Sequence, residues 1–225
     1  MRESLTQSIE DYLKAIYELT QKEGRASTTQ LAEYLHVTPA SVTGMIKKLS
    51  TTTPPLLEYR KHRGVILTDN GRTIALEIIR HHRLLELFLH EVLEYPWDEV
   101  DEEADKLEHV ISEKFEDRIA QALGNPEYDP HGDPIPSKDL SLPSTATIPL
   151  STLRPGQAAT IKRVRDNDSE LLKHLQDIGI IPETDITISE FSEFDGNLHI
   201  KIDKSNQIEV LGPKITNQIF VEINN

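Results

Sequence analysis

Apolar residues recur at helical spacing along the first fifty positions. Over residues 7–20, QSIEDYLKAIYELT, they are Ile9, Tyr12, Leu13, Ile16, Tyr17 and Leu19, and Lys22–Gly24 ends the run. Over 27–36, STTQLAEYLH, Ser and Thr offer caps ahead of Leu31, Ala32 and Leu35. A short VTP turn follows. Thr38 suits an N-cap and Pro39 the first turn of a third helix over 39–50, with Val42, Met45, Ile46 and Leu49 inward. The period then changes. Pro54-Pro55 exclude a helix, and LLEY and VILT read as short strands around a basic tip, RKHRG.

Three helices with a tight turn before the third, then a hairpin, predict a winged helix-turn-helix. Its third helix would enter a DNA major groove with Thr38, Ala40, Ser41 and Gly44 along its exposed side. Lys47 and Lys48 on that helix, and Arg60, Lys61 and Arg63 on the wing, would meet phosphates. The competing reading, a winged helix that binds protein, leaves those basic positions without a role. Residues 69–94 predict a long helix with a stripe of Ile74, Ile78, Leu85, Phe88, Leu89 and Val92. A second is expected over 98–122, with Ala104, Leu107, Val110, Ile111, Phe115, Ile119 and then Leu123. Two such helices suit a homodimer, and a dimer suits two-fold DNA half-sites. Residues 124–149 hold six of the 13 prolines and read as an irregular connector. Strands over 157–164, 184–191, 197–203, 207–211 and 218–223, with a helix near 169–177, predict a small β-barrel.

Charge sharpens this division. The net charge is −14, but residues 1–75 carry +2, residues 76–140 carry −12 and residues 141–225 carry −4. An acidic chain can still bind DNA when its positive charge lies on one face. There are no cysteines, so a metal would be held by carboxylate, imidazole and backbone oxygen, which favours harder divalent ions. The absence of cysteine also fits a cytoplasmic protein. No secretory h-region opens the chain and no run approaches a membrane span, so no membrane partner is expected.

The acidic middle contains DEEADKLEHV, residues 101–110. Such a run is ordinarily a solvated face, and Glu102, Glu103 and Glu113 are read that way. Asp105, Glu108 and His109 stand at i, i+3 and i+4, which places them on one side of a helix at the edge of its apolar stripe. His82 and Glu86 repeat the i, i+4 spacing, Asp11 adjoins the apolar face of the first helix, and DPHG places Asp129 and His131 two apart in the connector. His36, His90 and His174 stand alone and are read as ordinary.

EDYLKAIYEL (10–19), GRTIALEIIRHHRLLE (71–86), DEEADKLEHVISE (101–113) and DPHGDPIP (129–136) resemble the diphtheria toxin repressor family of metal-dependent transcriptional regulators. LRPGQAATIKRV and LLKHLQDIGIIPETDITI resemble the ferrous-transport-A (FeoA-type) β-barrel. The resemblance covers nearly the whole chain. It implies a mainly α protein with a small β domain: a winged helix-turn-helix over 1–72, a helical dimerisation and metal-binding domain over 73–142, a linker over 143–152 and a Src-homology-3-like barrel over 153–225. It implies a primary metal site of Asp11, Asp105, Glu108 and His109, and a second of His82, Glu86, Asp129 and His131, with Asp166 or Asp168 as the barrel ligand. Iron-type members have Met and Cys where this chain has Asp11 and Asp105, so Mn²⁺ is expected, with Fe²⁺ the alternative. The implied activity is metal-dependent operator binding by a homodimer, with no catalysis and no small-molecule substrate. Departures from the pattern are Lys14, where short manganese regulators carry an acid; Asp101, where iron-type members carry His; and STTTPPLL, which lacks a glycine turn into the wing. A regulator answering to an organic ligand and a metallohydrolase are the remaining readings; no nucleophile motif supports the latter.

Overall fold

A computed structural model describes residues 5–60, 63–165 and 168–224. Helix α1 (Gln7–Glu23) stops where Gly24 turns left-handed, φ 72°, and its N–H closes on the Thr20 carbonyl. Helix α2 (Thr28–Tyr34) begins with a capping box: Ser27 Oγ accepts from Gln30 N, and Ser27 N donates to Gln30 Oε1. Thr38 Oγ1 accepts from Ser41 N, and Pro39 opens α3 (Pro39–Ser50). Strands β1 (Leu57–Arg60) and β2 (Gly64–Leu67) pair antiparallel, Leu57 opposite Leu67 and Arg60 opposite Gly64. This is the expected wing; of its tip, Lys61 lies outside the described residues. Helix α4 spans Asp69–Leu93. Leu13, Ile16, Leu31, Val42, Leu49, Leu57, Val65, Ile74 and Ile78 share one buried cluster, so each element of the head contributes to a single core. These residues lie in the first of two compact units, Met1–His81 with Glu108–Ile111 and Pro136–Ser141.

The second unit comprises His82–Leu107, Ser112–Ile135 and Leu142–Asn225. The single helix expected over 98–122 is two helices, α5 (Val100–Leu107) and α6 (Glu113–Ala122). Ser112 makes the break, because its hydroxyl accepts from Phe115 N and starts a new helix. The Glu108 carbonyl is bonded to Nδ1 of His81, 3.1 Å away. Val110, expected on the buried stripe, is instead 75% exposed, and Phe115 is exposed too.

The C-terminal part holds β3 (Ile148–Pro149), β4 (Ala158–Val164), α7 (Ser169–Asp177), β5 (Asp185–Phe191), β6 (Leu198–Ile202), β7 (Ile208–Leu211), α8 (Pro213–Thr216) and β8 (Ile219–Ile223). The strands form one six-stranded antiparallel sheet in the order β3-β8-β4-β5-β6-β7. Register shifts at Ile161/Arg163 and Ile188/Glu190 bend it. Ile161, Ile186, Ile200, Leu211 and Val221 share a core with Leu172 and Leu175 of α7, as a strongly curved sheet allows. The five strands and the helix read from the sequence are all present. β3 and the turn after it occupy part of the stretch expected to be linker. Among the described residues, no helix is long and apolar enough to cross a membrane.

Leu49 is fully buried on α3. Leu49→Ala should lower stability by about 2–5 kcal/mol, seen as a lower urea midpoint at unchanged slope.

Candidate metal centres and nucleic-acid interface

On α3 the apolar positions Val42, Ile46 and Leu49 face the core, which turns Thr38, Ala40, Ser41, Gly44, Lys47 and Lys48 outward; all six are exposed. A Cβ at Gly44 would meet nothing within 4 Å, so this side of the helix is open. On the wing Arg60 and Arg63 are exposed. Tyr59, which sequence reasoning passed over, is exposed beside Arg60.

Asp11, Glu108 and His109 come together: one ligand atom from each lies within 4.8 Å of the others. His109 Nε2 is 2.9 Å from Asp11 Oδ1 and 3.3 Å from Glu108 Oε1. Because α5 ends at Leu107, Glu108 and His109 sit in the turn after it rather than on the helical face the spacing suggested. Two further residues complete the group: Glu10, which sequence reasoning passed over, and Lys14, noted there only as a departure from the family pattern. Glu10 Oε2 lies 2.6 Å from His109 Nδ1, and Lys14 Nζ donates to Glu108 Oε2 at 2.9 Å. Glu108 is 1% exposed. Burial lowers the pKa of His109, but the Asp11 and Glu10 hydrogen bonds and the Glu108 charge outweigh it and push the imidazole up to about 9. Nδ1 held by Glu10 leaves Nε2 directed at Asp11 and Glu108, the orientation a ligating imidazole needs.

The other expected ligand on DEEADKLEHV, Asp105, lies on α5 with its Oδ1 3.3 Å from His82 Nδ1. The opposite nitrogen, His82 Nε2, is 3.3 Å from Asp101 Oδ1 and 3.6 Å from Glu86 Oε1. Asp101 thus stands with His82 and Glu86.

Glu86, Asp129 and His131 form the driest group, all buried. The DPHG loop is built to present them. Asp129 Oδ1 accepts from His131 N at 2.8 Å and Asp133 N at 2.9 Å, which closes the turn. Gly132, φ 86°, sits so close to strand β4 that a Cβ would fall 1.9 Å from the Lys162 carbonyl. Val164 N donates to the His131 carbonyl, and Arg163 Nη1 to Asp133 Oδ1. His131 Nε2 donates to the Trp97 carbonyl at 3.0 Å, which puts the ring's lone pair on Nδ1, 3.5 Å from Glu86 Oε1. Among the described residues, neither oxygen of Glu86, nor Oδ2 of Asp129, has a hydrogen-bond donor. Burial pushes the Asp129 carboxyl well up, and the Glu86 and Asp133 charges add to that. Burial also opposes ionisation of Glu86, but the charge of His82, with the His131 imidazole close by, outweighs it and holds its pKa down. A cation fits this donor set, because it would satisfy buried oxygens that the protein leaves unmet. Of the two barrel candidates, Asp168 caps α7 by accepting from Leu171 N, and Asp166 lies outside the described residues.

Residues 4–65 match the family described as iron dependent repressor, N-terminal DNA binding domain. Residues 68–137 match the iron dependent repressor metal binding and dimerisation domain, and residues 148–223 the FeoA domain. The iron-dependent repressor IdeR of Mycobacterium leprae is 31% identical over 196 residues, covering 82% of this chain and 84% of that one. The chain belongs to the diphtheria toxin repressor family. Its members here are metal-dependent transcriptional repressors, both iron and manganese types. The HTH-type transcriptional regulator MntR of Oceanobacillus iheyensis is 38% identical over 118 residues, 52% of this chain and 78% of that one. A solved manganese-dependent transcriptional repressor in complex with manganese superposes with a TM-score of 0.87 at 36% identity, covering 96% of this chain and all of that one. The manganese regulator SloR gives a TM-score of 0.77 at 33% identity, covering 96% of this chain and 98% of that one.

His109 must lose its proton to ligate a cation. In the metal-free chain that proton stabilises the fold fully below the ordinary pKa of 6.5, and the contribution is lost as pH rises through about 9. Cation binding at neutral pH should therefore release it, and affinity should rise about tenfold per pH unit below 9. Calorimetry in buffers of different ionisation enthalpy should show about one proton fewer released by His109→Ala.

Proposed function

We propose that this chain is a homodimeric repressor that binds its operator when divalent cations, Mn²⁺ foremost, occupy Asp11–Glu108–His109 and Glu86–Asp129–His131. The observation that carries this reading is the buried, hydrogen-bond-free set of carboxylate oxygens on Glu86 and Asp129 beside an oriented imidazole. Family membership supplies the DNA-binding and dimerisation frame. A bound divalent ion supplies positive charge and coordination to hard oxygen and nitrogen donors.

At the first site, Asp11 belongs to α1 while Glu108 and His109 belong to the turn after α5. Joining them restrains α1 relative to that turn. Without an ion, Glu10, Asp11 and Glu108 repel one another, with His109 and Lys14 as the local compensation. If the operator selects the restrained arrangement, metal and DNA affinities rise together by the same factor. On DNA, Thr38, Ala40, Ser41 and Gly44 are assigned to base edges, and Lys47, Lys48, Arg60, Lys61 and Arg63 to phosphates. Val92 and Leu93, each about half exposed near the end of α4, and Phe115 on α6 are assigned to the contact with a second copy. A DNA partner is in keeping with a cytoplasmic location, and the reading assigns the sites to regulation rather than catalysis.

All donors are oxygen or nitrogen, so thiophilic ions gain no thiolate here and Mn²⁺ is the better match. Fe²⁺ is the second reading, favoured by the similarity to the mycobacterial iron-dependent repressor.

Anisotropy titrations of an operator duplex should show binding strengthened at least ~10-fold by Mn²⁺, within the usual range of allosteric coupling. Asp11→Ala and His109→Ala should lose that gain with the fold intact; equal affinity in chelator would sink the reading. Anaerobic titration with Fe²⁺ in parallel decides between the metals. Lys47→Ala should weaken all duplexes alike and lower the salt slope by about 1.

A further inference from the structure

The connector that supplies Asp129 and His131 goes on to join the DNA-binding head. Residues Pro136–Ser141 belong to the same compact unit as α1–α3 and the wing, and Leu140 packs against the core those elements share. Leu140 holds a left-handed backbone, φ 64°, which a bulky apolar residue seldom adopts. A turn imposes it. Ser137 N donates to the Ser141 carbonyl and Leu140 N to the Ser137 carbonyl, both at 2.9 Å. Asp139 Oδ1 accepts from Ser137 Oγ, from Ser141 Oγ at 2.8 Å and from Ser141 N at 3.2 Å. Three polar side chains are thus devoted to holding one leucine in place. A loop free of such a task would be better served by glycine there.

The chain leading to this turn is stiff. Pro134 and Pro136 fix two of its backbone angles. Arg83 Nη1 donates to the Pro134 carbonyl and Arg80 Nη1 to the Pro136 carbonyl, each at 2.6 Å. The two arginines stand one turn apart on α4, so a single helix holds the segment at two points. We propose that Leu140 is a positioning residue, a clasp through which an ion at Glu86–Asp129–His131 restrains the DNA-binding head. An ion there would draw Asp129 and His131 towards Glu86 and fix the start of the stiff segment, and with it the clasp at the far end. Without the ion the buried carboxylates of Glu86 and Asp129 oppose each other, and the start of the segment is held less firmly. The strain in Leu140 makes the clasp responsive. Docking that is only just favourable answers to a small change at the other end, whereas an unstrained anchor would stay docked in both states. An operator that selects the restrained head then gains affinity from this centre through Leu140. The inference rests on the reading of Glu86, Asp129 and His131 as a metal centre in a metal-dependent repressor.

The test measures binding by anisotropy to a duplex that the full chain selects from a random pool in Mn²⁺, and counts bound Mn²⁺ by equilibrium dialysis. The variants are His131→Ala, Leu140→Asn, the two together, and Leu140→Met. Asparagine tolerates the left-handed backbone but removes the apolar anchor, and methionine keeps the anchor. His131→Ala should lose one ion and weaken Mn²⁺-dependent binding about tenfold. Leu140→Asn should keep every ion and its affinity in chelator, yet weaken Mn²⁺-dependent binding by a similar factor. The double variant should be no weaker than the weaker single one, and Leu140→Met should bind as the native chain does. Asp139→Ala unties the turn without touching the core and carries the same expectations as Leu140→Asn, so a folding defect in one variant leaves the other to decide. Full Mn²⁺-dependent affinity in Leu140→Asn and Asp139→Ala, or losses that multiply in the double variant, overturn the clasp. An equal loss in chelator also overturns it, because Leu140 would then serve the fold alone. The readings beneath fail by different signs: His131→Ala losing no ion would mean that the second centre is misassigned, and a native chain that Mn²⁺ does not strengthen would end the repressor reading itself.

Discussion

A carboxylate taken out of water must meet positive charge or hydrogen-bond donors, or it loses its own charge. This chain buries Glu10, Glu86, Glu108 and Asp129, and much of its chemistry follows from how each is compensated. Glu10 has the imidazole of His109, and Glu108 has Lys14 and the same imidazole. Asp129 spends one oxygen on the backbone of its own loop and keeps the other near Arg83, 3.5 Å from its Nε. Among the described residues, Glu86 has long contacts, to His82 and His131. Compensation thins out from the first centre to the second.

Tight compensation needs rigid backbone, and the two centres obtain it differently. At the first, the end of α5 and the Ser112 cap hold a short turn, so Glu108 and His109 are adjacent residues that still reach different partners. At the second, the DPHG loop is locked from three directions: Asp129 closes it, Trp97 fixes the ring of His131, and strand β4 presses on Gly132 where no side chain fits. The Trp97 ring lies 5.2 Å from that of His131, and Trp97 itself is buried in the core of the curved sheet. The imidazole is therefore set by the packing of the C-terminal part as well as by its own loop.

The head and the sheet were legible because their apolar periods are local, and caps such as Ser27, Thr38 and Gly24 mark their ends. The break at Ser112 was harder to see, because the apolar positions on either side continue the helical period that α5 begins. Spacing at i, i+3 and i+4 selected Glu108 and His109 by a geometry the fold does not use; residue chemistry was the sounder guide. Glu10 could not be found that way, and Lys14 stood out only as a departure from a family pattern. Their roles come from contacts across 99 and 94 residues, which local spacing on α1 does not show. Asp101 was set aside because it departs from a family pattern, yet a carboxylate can face an imidazole as readily as another imidazole can.

The two charged regions meet opposite physical demands, which is why net charge alone says so little here. A surface that meets phosphate must be positive and solvated, since its energy comes from releasing counterions. Exposed lysines and arginines there cost little stability and need no partner in the free protein. A centre that holds a cation must be negative and screened from water, or salt would compete with it. The buried carboxylates cost stability unless matched, so each has a neighbour that can be named. The +2 of residues 1–75 and the −12 of residues 76–140 are the sequence trace of that separation. Lys14 and Glu10 cross it, one basic and one acidic residue from the head serving the acidic centre. A charge is best interpreted by whether it is solvated and what it faces, and only then by its sign.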